Sequence, residues 1–204
     1  TTQYTVYDGN WLNWRSNPPT VQKSRIAIVK EAVNALMAGL TDVNVGVMRF
    51  NGDEGGPVIA PVAGIETSRE SVTEIVDGLT TGGRTPLSEA MYEAALVFRG
   101  DGVDYGNGGS IRSVAGSRVG GAIDSPLYLS PITDACGKNY IILLTDGEPS
   151  GDTSANDKIT ALPGYGTVVG TGCDGTGEGR CLDDVAAYLL RQDLNDSLPG
   201  LQNV

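Results

Sequence analysis

Two positions in this chain combine residue type and placement in a way that suggests chemistry. Asp146 directly follows the apolar run Ile141–Thr145, and Thr85 precedes Pro86 in the segment TTGGRTPL, behind Gly82 and Gly83. A carboxylate and a hydroxyl are hard oxygen donors, suited, with water in the remaining positions, to Mg²⁺, Mn²⁺ or Ca²⁺. In an open α/β sheet, ligands bind in the crevice beyond the carboxyl ends of the strands. Asp146 is expected at such an end and Thr85 at a helix start facing the same crevice. Plainer roles exist for both: Thr85 as a helix N-cap, and Asp146-Gly147 as a turn. TTGGRTPL would also suit an anion at a helix N-terminus, but it lacks the Gly-Lys-Ser/Thr ending of a nucleotide-binding P-loop.

Other chemistry is narrowed by what the chain lacks. Its 204 residues contain no histidine, which removes Ser-His-Asp and Cys-His nucleophilic machinery, imidazole bases and the usual zinc triads. Asp and Glu total 25 against 14 Lys and Arg, a formal charge of -11. Such a surface repels phosphate backbones, so no nucleic-acid partner is expected. Cys173 and Cys181 flank the Gly-rich CDGTGEGRC, flexible enough to close through a disulfide in an oxidising compartment. Three free thiols are the alternative. With the disulfide formed, Cys136 is left free or paired outside this sequence. Every uninterrupted apolar stretch, Tyr140–Leu144 included, is far short of a membrane span. The chain starts at Thr1 and is read as mature or as a piece of something longer.

The elements that must position Thr85 and Asp146 follow from periodicity. Residues 1–20, with Tyr4, Tyr7, Trp11 and Trp14, read as an aromatic lead-in laid against the domain. Ile26, Val29, Val33, Leu36, Met37 and Leu40 recur at helical spacing. Val43–Phe50 reads as a strand covered on both faces, and Pro57–Val62 as a short edge strand. A helix follows Ser68, with Val72, Ile75, Val76 and Leu79 on one side. Another follows Pro86, burying Ala90, Met91, Ala94, Ala95 and Phe98, with Thr85 placed to cap it. Asn139–Thr145 reads as the second strong strand and Leu182–Leu190 as a final helix. Residues 99–137 and 147–180 read as long loops, functional or mobile ones. Gln202-Asn203-Val204 looks like the approach to a further strand. Alternating helices and apolar strands predict a single α/β domain over 1–204 with a doubly wound, mainly parallel sheet and flanking helices, incomplete because only about three strands are visible.

The pairing of GGRTPLSEA with IILLTDGEP resembles the second and third metal-site motifs of von Willebrand factor A domains, a Rossmann-like fold. The chain as a whole is similar to the PilY family of type IV pilus tip and assembly proteins. That similarity rests on YDGNWLNW, KSRIAIVKEAVNAL, VNVGVMRFN, TPLSEAMYEA, SPITDACGKNYIILLTDGEPSGD and CLDDVAAYL with GLQNV, in this order. The resemblance implies a metal-ion-dependent adhesion site in which Thr85 and Asp146 are ligands of Mg²⁺, or of Mn²⁺ or Ca²⁺. It implies a binding module rather than an enzyme, exported through the periplasm to a pilus tip on the bacterial surface and acting in pilus biogenesis and attachment. Its partners would be pilus components and a surface or host ligand offering an acidic group. The family's third element, Asp-x-Ser-x-Ser at the end of its first strand, is absent from residues 1–204. The resemblance places it upstream of YDGNWLNW, so the chain is expected to be trimmed at both ends and its metal site to be incomplete. Asp152-Thr153-Ser154-Ala155-Asn156 is only superficially like that motif, because it follows a loop and ends in Asn.

Weaker features complete the reading. Arg99-Gly100-Asp101 is a tripeptide that some adhesins present to integrins. Glu148 and Asp152 would suit outer-shell acceptors around a cation, or a solvated acidic loop. Asp183-Asp184 suits the positive end of a helix. Two rival functions remain: a Mg²⁺-dependent phosphoryl-transfer enzyme using Asp146 and Glu148, and a structural pilus-assembly domain with a vestigial metal site.

Overall fold

The computed structural model describes residues 8–16, 22–108 and 110–204. They form a mixed α/β structure with seven α-helices and one two-stranded antiparallel sheet. The helices are α1 (Gly9–Ser16), α2 (Arg25–Gly39), α3 (Ile65–Asp77), α4 (Leu87–Arg99), α5 (Asn156–Thr160), α6 (Tyr165–Val168) and α7 (Leu182–Arg191). The strands are β1 (Asn44–Met48) and β2 (Val58–Gly64), paired from Asn44↔Gly64 to Met48↔Val58 with two register shifts.

The helices follow their apolar spacing. The hydroxyl of Ser24 accepts the N–H of Ala27 and so caps α2, and α4 ends on the left-handed Gly100. The apolar residues divide into two clusters. The larger joins α4 and α7 through Ala95, Leu96, Val185, Tyr188 and Leu189, with Ile159 and Tyr165 from the shorter helices. The smaller holds Met37 of α2, Ala60 of β2, and Ile65, Val72 and Val76 of α3. Several apolar residues of α2 meet neither cluster fully: Ile28 is 54% exposed and Leu36 39%.

Three expectations need correction. The aromatic lead-in was expected to lie on the domain, but α1 buries no residue; Tyr4 and Tyr7 lie outside the described residues. Asn139–Thr145 belongs to no sheet: among the described residues, no backbone N–H or C=O of Tyr140–Leu144 pairs with another backbone group. Its side chains do not keep a strand's alternation, because Leu143 and Leu144 are both exposed, at 37% and 47%. Ile141 packs against the larger cluster, while Tyr140 and Ile142 are 75% and 67% exposed. A ladder needs a neighbour at about 4.8 Å, and the described residues supply none. Third, the expected loop over 147–180 contains α5 and α6, while 99–137, beyond the end of α4, is a long loop as expected. Short 3-10 turns at Tyr105–Asn107, Ala115–Ser117 and Val119–Gly121 are folded around a buried Arg118. The Arg118 guanidinium donates to the carbonyls of Ser113, Ser125 and Gly106 at 3.0–3.1 Å.

Cys173 and Cys181 form a disulfide across the Gly-rich loop, with Cα atoms 5.0 Å apart, and Cys136 is free and exposed. The bridge fixes the loop against the start of α7, where Cys181 is fully buried. For a loop of this size the chain-entropy contribution is about 2–3 kcal/mol. Cys181→Ser, or reduction, is expected to lower the denaturation free energy by that amount, measured in guanidinium with and without reductant. No helix among the described residues is long and apolar enough to cross a membrane.

Candidate functional site

Thr85 sits at the hinge between the 80–84 loop and α4. Its backbone forms an isolated antiparallel bridge with Ser150, N–H to O at 3.2 Å one way and 3.1 Å the other. The Ser150 hydroxyl also accepts the Thr85 N–H at 3.1 Å. This bridge ties the 80–87 segment to the loop that begins at Asp146, four residues before Ser150. On its other side the Arg84 N–H donates to the Gly52 carbonyl at 2.8 Å. Gly83, at φ +83°, lies so close to Gly52 that a Cβ there would collide with that turn's backbone. The segment is therefore held between the 51–54 turn and the 146–152 loop.

Asp146 is exposed, and its carboxylate accepts Arg25 Nη1 from the start of α2 at 3.2 Å. With side chains 78% and 53% exposed, this pair is worth little, and a divalent cation would compete with it readily. Thr85 and Asp146 fit a hard cation in donor chemistry but are two ligands where six are usual. Among the described residues, no group of three or more His, Cys, Asp or Glu is arranged to hold a metal.

The cap of α4 differs from expectation. Pro86, not Thr85, is the residue before the first helical position, and no side chain from that position caps the helix. Asp152 does so from the facing loop: its buried carboxylate accepts Ser88 N–H at 2.9–3.0 Å, Ser88 Oγ at 2.9 Å and Glu89 N–H at 3.3 Å. A carboxylate is favoured there by both the unpaired N–H groups and the helix dipole. Asp152 is thus an internal cap rather than a solvated acidic residue.

Two further carboxylates lie along the same helix. Glu89 accepts the Gly55 N–H at 3.0 Å and the Ser154 N–H at 3.2 Å, and its Oε1 lies 2.6 Å from the Ser154 hydroxyl. Burial, with Glu54 and Asp152 nearby, pushes its carboxyl above the usual range. Glu93 accepts the N–H groups of Asp104, Tyr105 and Gly106 and the Tyr128 hydroxyl at 2.5 Å. Burial raises its carboxyl as well, against those hydrogen bonds. Sequence reasoning missed this pair. The available signal was their spacing of four: Glu89 and Glu93 fall on the same face as the apolar Ala90 and Ala94, where a charge must be satisfied internally.

The Arg99-Gly100-Asp101 tripeptide is not presented. Gly100 closes α4, and Arg99 Nε is 2.6 Å from Asp101, with Nη1 also donating to Tyr188 at 3.1 Å. Glu148 makes no hydrogen bond or ion pair among the described residues. Asp183 and Asp184 do occupy the first turn of α7. Asp184 is raised by burial and by Asp183.

Compared with known proteins, the chain matches no family model, no curated protein and no solved structure.

Proposed function

We propose that this chain is a metal-dependent adhesion domain of a type IV pilus tip-associated protein, a binding module rather than an enzyme. In this reading it works at the bacterial surface in pilus biogenesis and attachment. The fold this reading implies is von Willebrand factor A-like, with a doubly wound parallel sheet that would take in β1 and the run 139–145; among the described residues β1 pairs only with the antiparallel β2 and the run is unpaired. Thr85 and Asp146 would hold a divalent cation, which supplies an open coordination position for a partner's acidic group. The observation that carries the reading is the Thr85–Ser150 bridge, which sets the two motif-bearing loops side by side. The Cys173–Cys181 disulfide is compatible with export.

The rival structural role, with a vestigial site, draws support from the Arg25–Asp146 pair: a cationic side chain already meets the carboxylate that a metal would use. Calorimetry with Mg²⁺, Mn²⁺ and Ca²⁺ separates the two, run on this chain and on one carrying additional upstream residues. A saturable heat in the longer chain, lost in Thr85→Ala and in Asp146→Ala, is expected for an adhesion site. Heat indifferent to both substitutions, or none with any ion, would leave only the structural role.

A further inference from the structure

We propose that Glu89, Ser154 and Glu54 form a proton-operated latch: a proton on Glu89 closes the 51–54 turn onto α4, and its departure loosens that turn and the Thr85 segment resting on it. The contacts around the Ser154 hydroxyl outnumber the hydrogens available to make them. The Ser154 hydroxyl oxygen has three close oxygen neighbours: Glu89 Oε1 at 2.6 Å, Tyr105 Oη at 2.6 Å and Glu54 Oε2 at 3.0 Å. A hydroxyl donates one hydrogen and accepts at two lone pairs. Tyr105 supplies a hydrogen to one lone pair, and Ser154 donates its own to a single carboxylate. With both glutamates ionised, the third contact has no hydrogen and sets an anionic oxygen against a lone pair.

A proton on Glu89 satisfies all three contacts. Glu89 then donates to Ser154, Ser154 donates to Glu54, and Tyr105 donates to the remaining lone pair. Glu89 is the natural holder because it is fully buried while Glu54 is exposed, so its charged form loses more hydration. Other charged or titratable groups face this chain of hydrogen bonds. Asp152 arrives from the 150–154 loop, Tyr105 from the first 3-10 turn, and Lys158 from α5, its Nζ 4.0 Å from the Tyr105 ring centroid and paired with Asp104. Glu93 sits one turn further along α4. Lys158 is committed to Asp104, and on the turn itself Asp53 pairs with Arg84 Nε at 3.7 Å.

The mechanical consequence follows from the backbone. The 51–54 turn closes on itself through Asn51 and Glu54, and its Gly52 carbonyl accepts the Arg84 N–H at 2.8 Å, one residue before Thr85. Glu89's folded-state carboxyl lies above its ordinary 4.5. The latch's contribution to stability is therefore full below 4.5 and is lost as pH rises through the raised folded-state value.

The test is a carbon-13 NMR titration of the glutamate side-chain carboxyls in the whole chain, with amide shifts followed in parallel. The expected result is a Glu89 transition above 4.5, with the amides of Gly52, Asp53, Arg84 and Thr85 shifting at the same midpoint. Glu89 titrating at or below 4.5, or flat amides through its transition, would overturn the latch. Glu89→Gln keeps a donor toward Ser154 and should hold those amides at their low-pH positions throughout. Glu54→Gln, at an exposed position that leaves the core intact, should move the Glu89 transition to lower pH; an unmoved transition would overturn the proposal even if Glu89→Gln does not fold. Thr85→Ala should leave the Glu89 transition in place, because the latch operates whether or not Thr85 binds a cation.

Discussion

Asp152→Ala is expected to lower the unfolding free energy by about 3–5 kcal/mol, measured by urea denaturation, with Tm falling by roughly 10 °C. The side chain is fully buried, and its removal strands the N–H groups of Ser88 and Glu89 and the Ser88 hydroxyl away from water. Each buried donor left without a partner costs about 1–3 kcal/mol. The cap also fixes the start of α4, a helix with ten buried residues, so its loss cannot be confined to one turn. Asp152→Asn should lose less, because one oxygen still accepts while the new amide opposes a donor. Ser88→Ala, which removes only the hydroxyl contact, should lose about 1 kcal/mol. If Asp152→Ala cost no more than Ser88→Ala, the cross-loop cap would not be what holds α4 in place.

Arg118→Met is the second large effect, an expected loss of about 3 kcal/mol or more. Arg118 is 1% exposed, and its guanidinium is the common partner of three carbonyls from three stretches of the 99–137 segment. Methionine fills a similar volume but leaves the Ser113 and Ser125 carbonyls without the guanidinium, while the Gly106 carbonyl keeps only the Ser113 N–H. The loss should be local first. Hydrogen exchange of the Ser113, Tyr128 and Leu129 amides should speed up before global unfolding, because their backbone bonds hold the same segment together. Unchanged exchange there would mean that the segment is held by its contacts to α4 alone, through Glu93 and Tyr128.

Much of this architecture can be read from the residues in order. The helical spacing through α2, α3, α4 and α7 survives in the structure with ends moved by only a few residues, because each helix buries a face that its own periodicity announces. The Gly-rich cysteine pair closes as its spacing suggests. Less legible was everything that depends on one loop reaching another. Asp152, set among Thr and Ser, looks like a solvated loop residue, and only the fold brings it to the start of α4. Arg118 is a basic residue in a Gly-rich stretch, and composition alone offers no reason to bury it. Asn139–Thr145 was readable as an extended apolar run, but strand assignment also needs a neighbouring backbone, which a single segment cannot reveal. Of the candidate site, the proximity of the two loops follows from the Thr85–Ser150 bridge. The ion pair of Asp146 with Arg25 joins residues 121 apart, and no local pattern signals it.

The run from Tyr140 to Leu144 has one more consequence, for how the protein must be handled. Five consecutive β-prone apolar residues without a proline, whose backbone groups pair with no other backbone among the described residues and of which Tyr140 and Ile142 are 75% and 67% exposed, have the makings of a cross-β seed. Lys138 and Asp146 bracket the run with opposite charges and are the gatekeepers that oppose stacking of one copy on the next. An alanine placed at Asp146 to probe cation binding therefore also removes one of the two charges that flank this run and guard against aggregation.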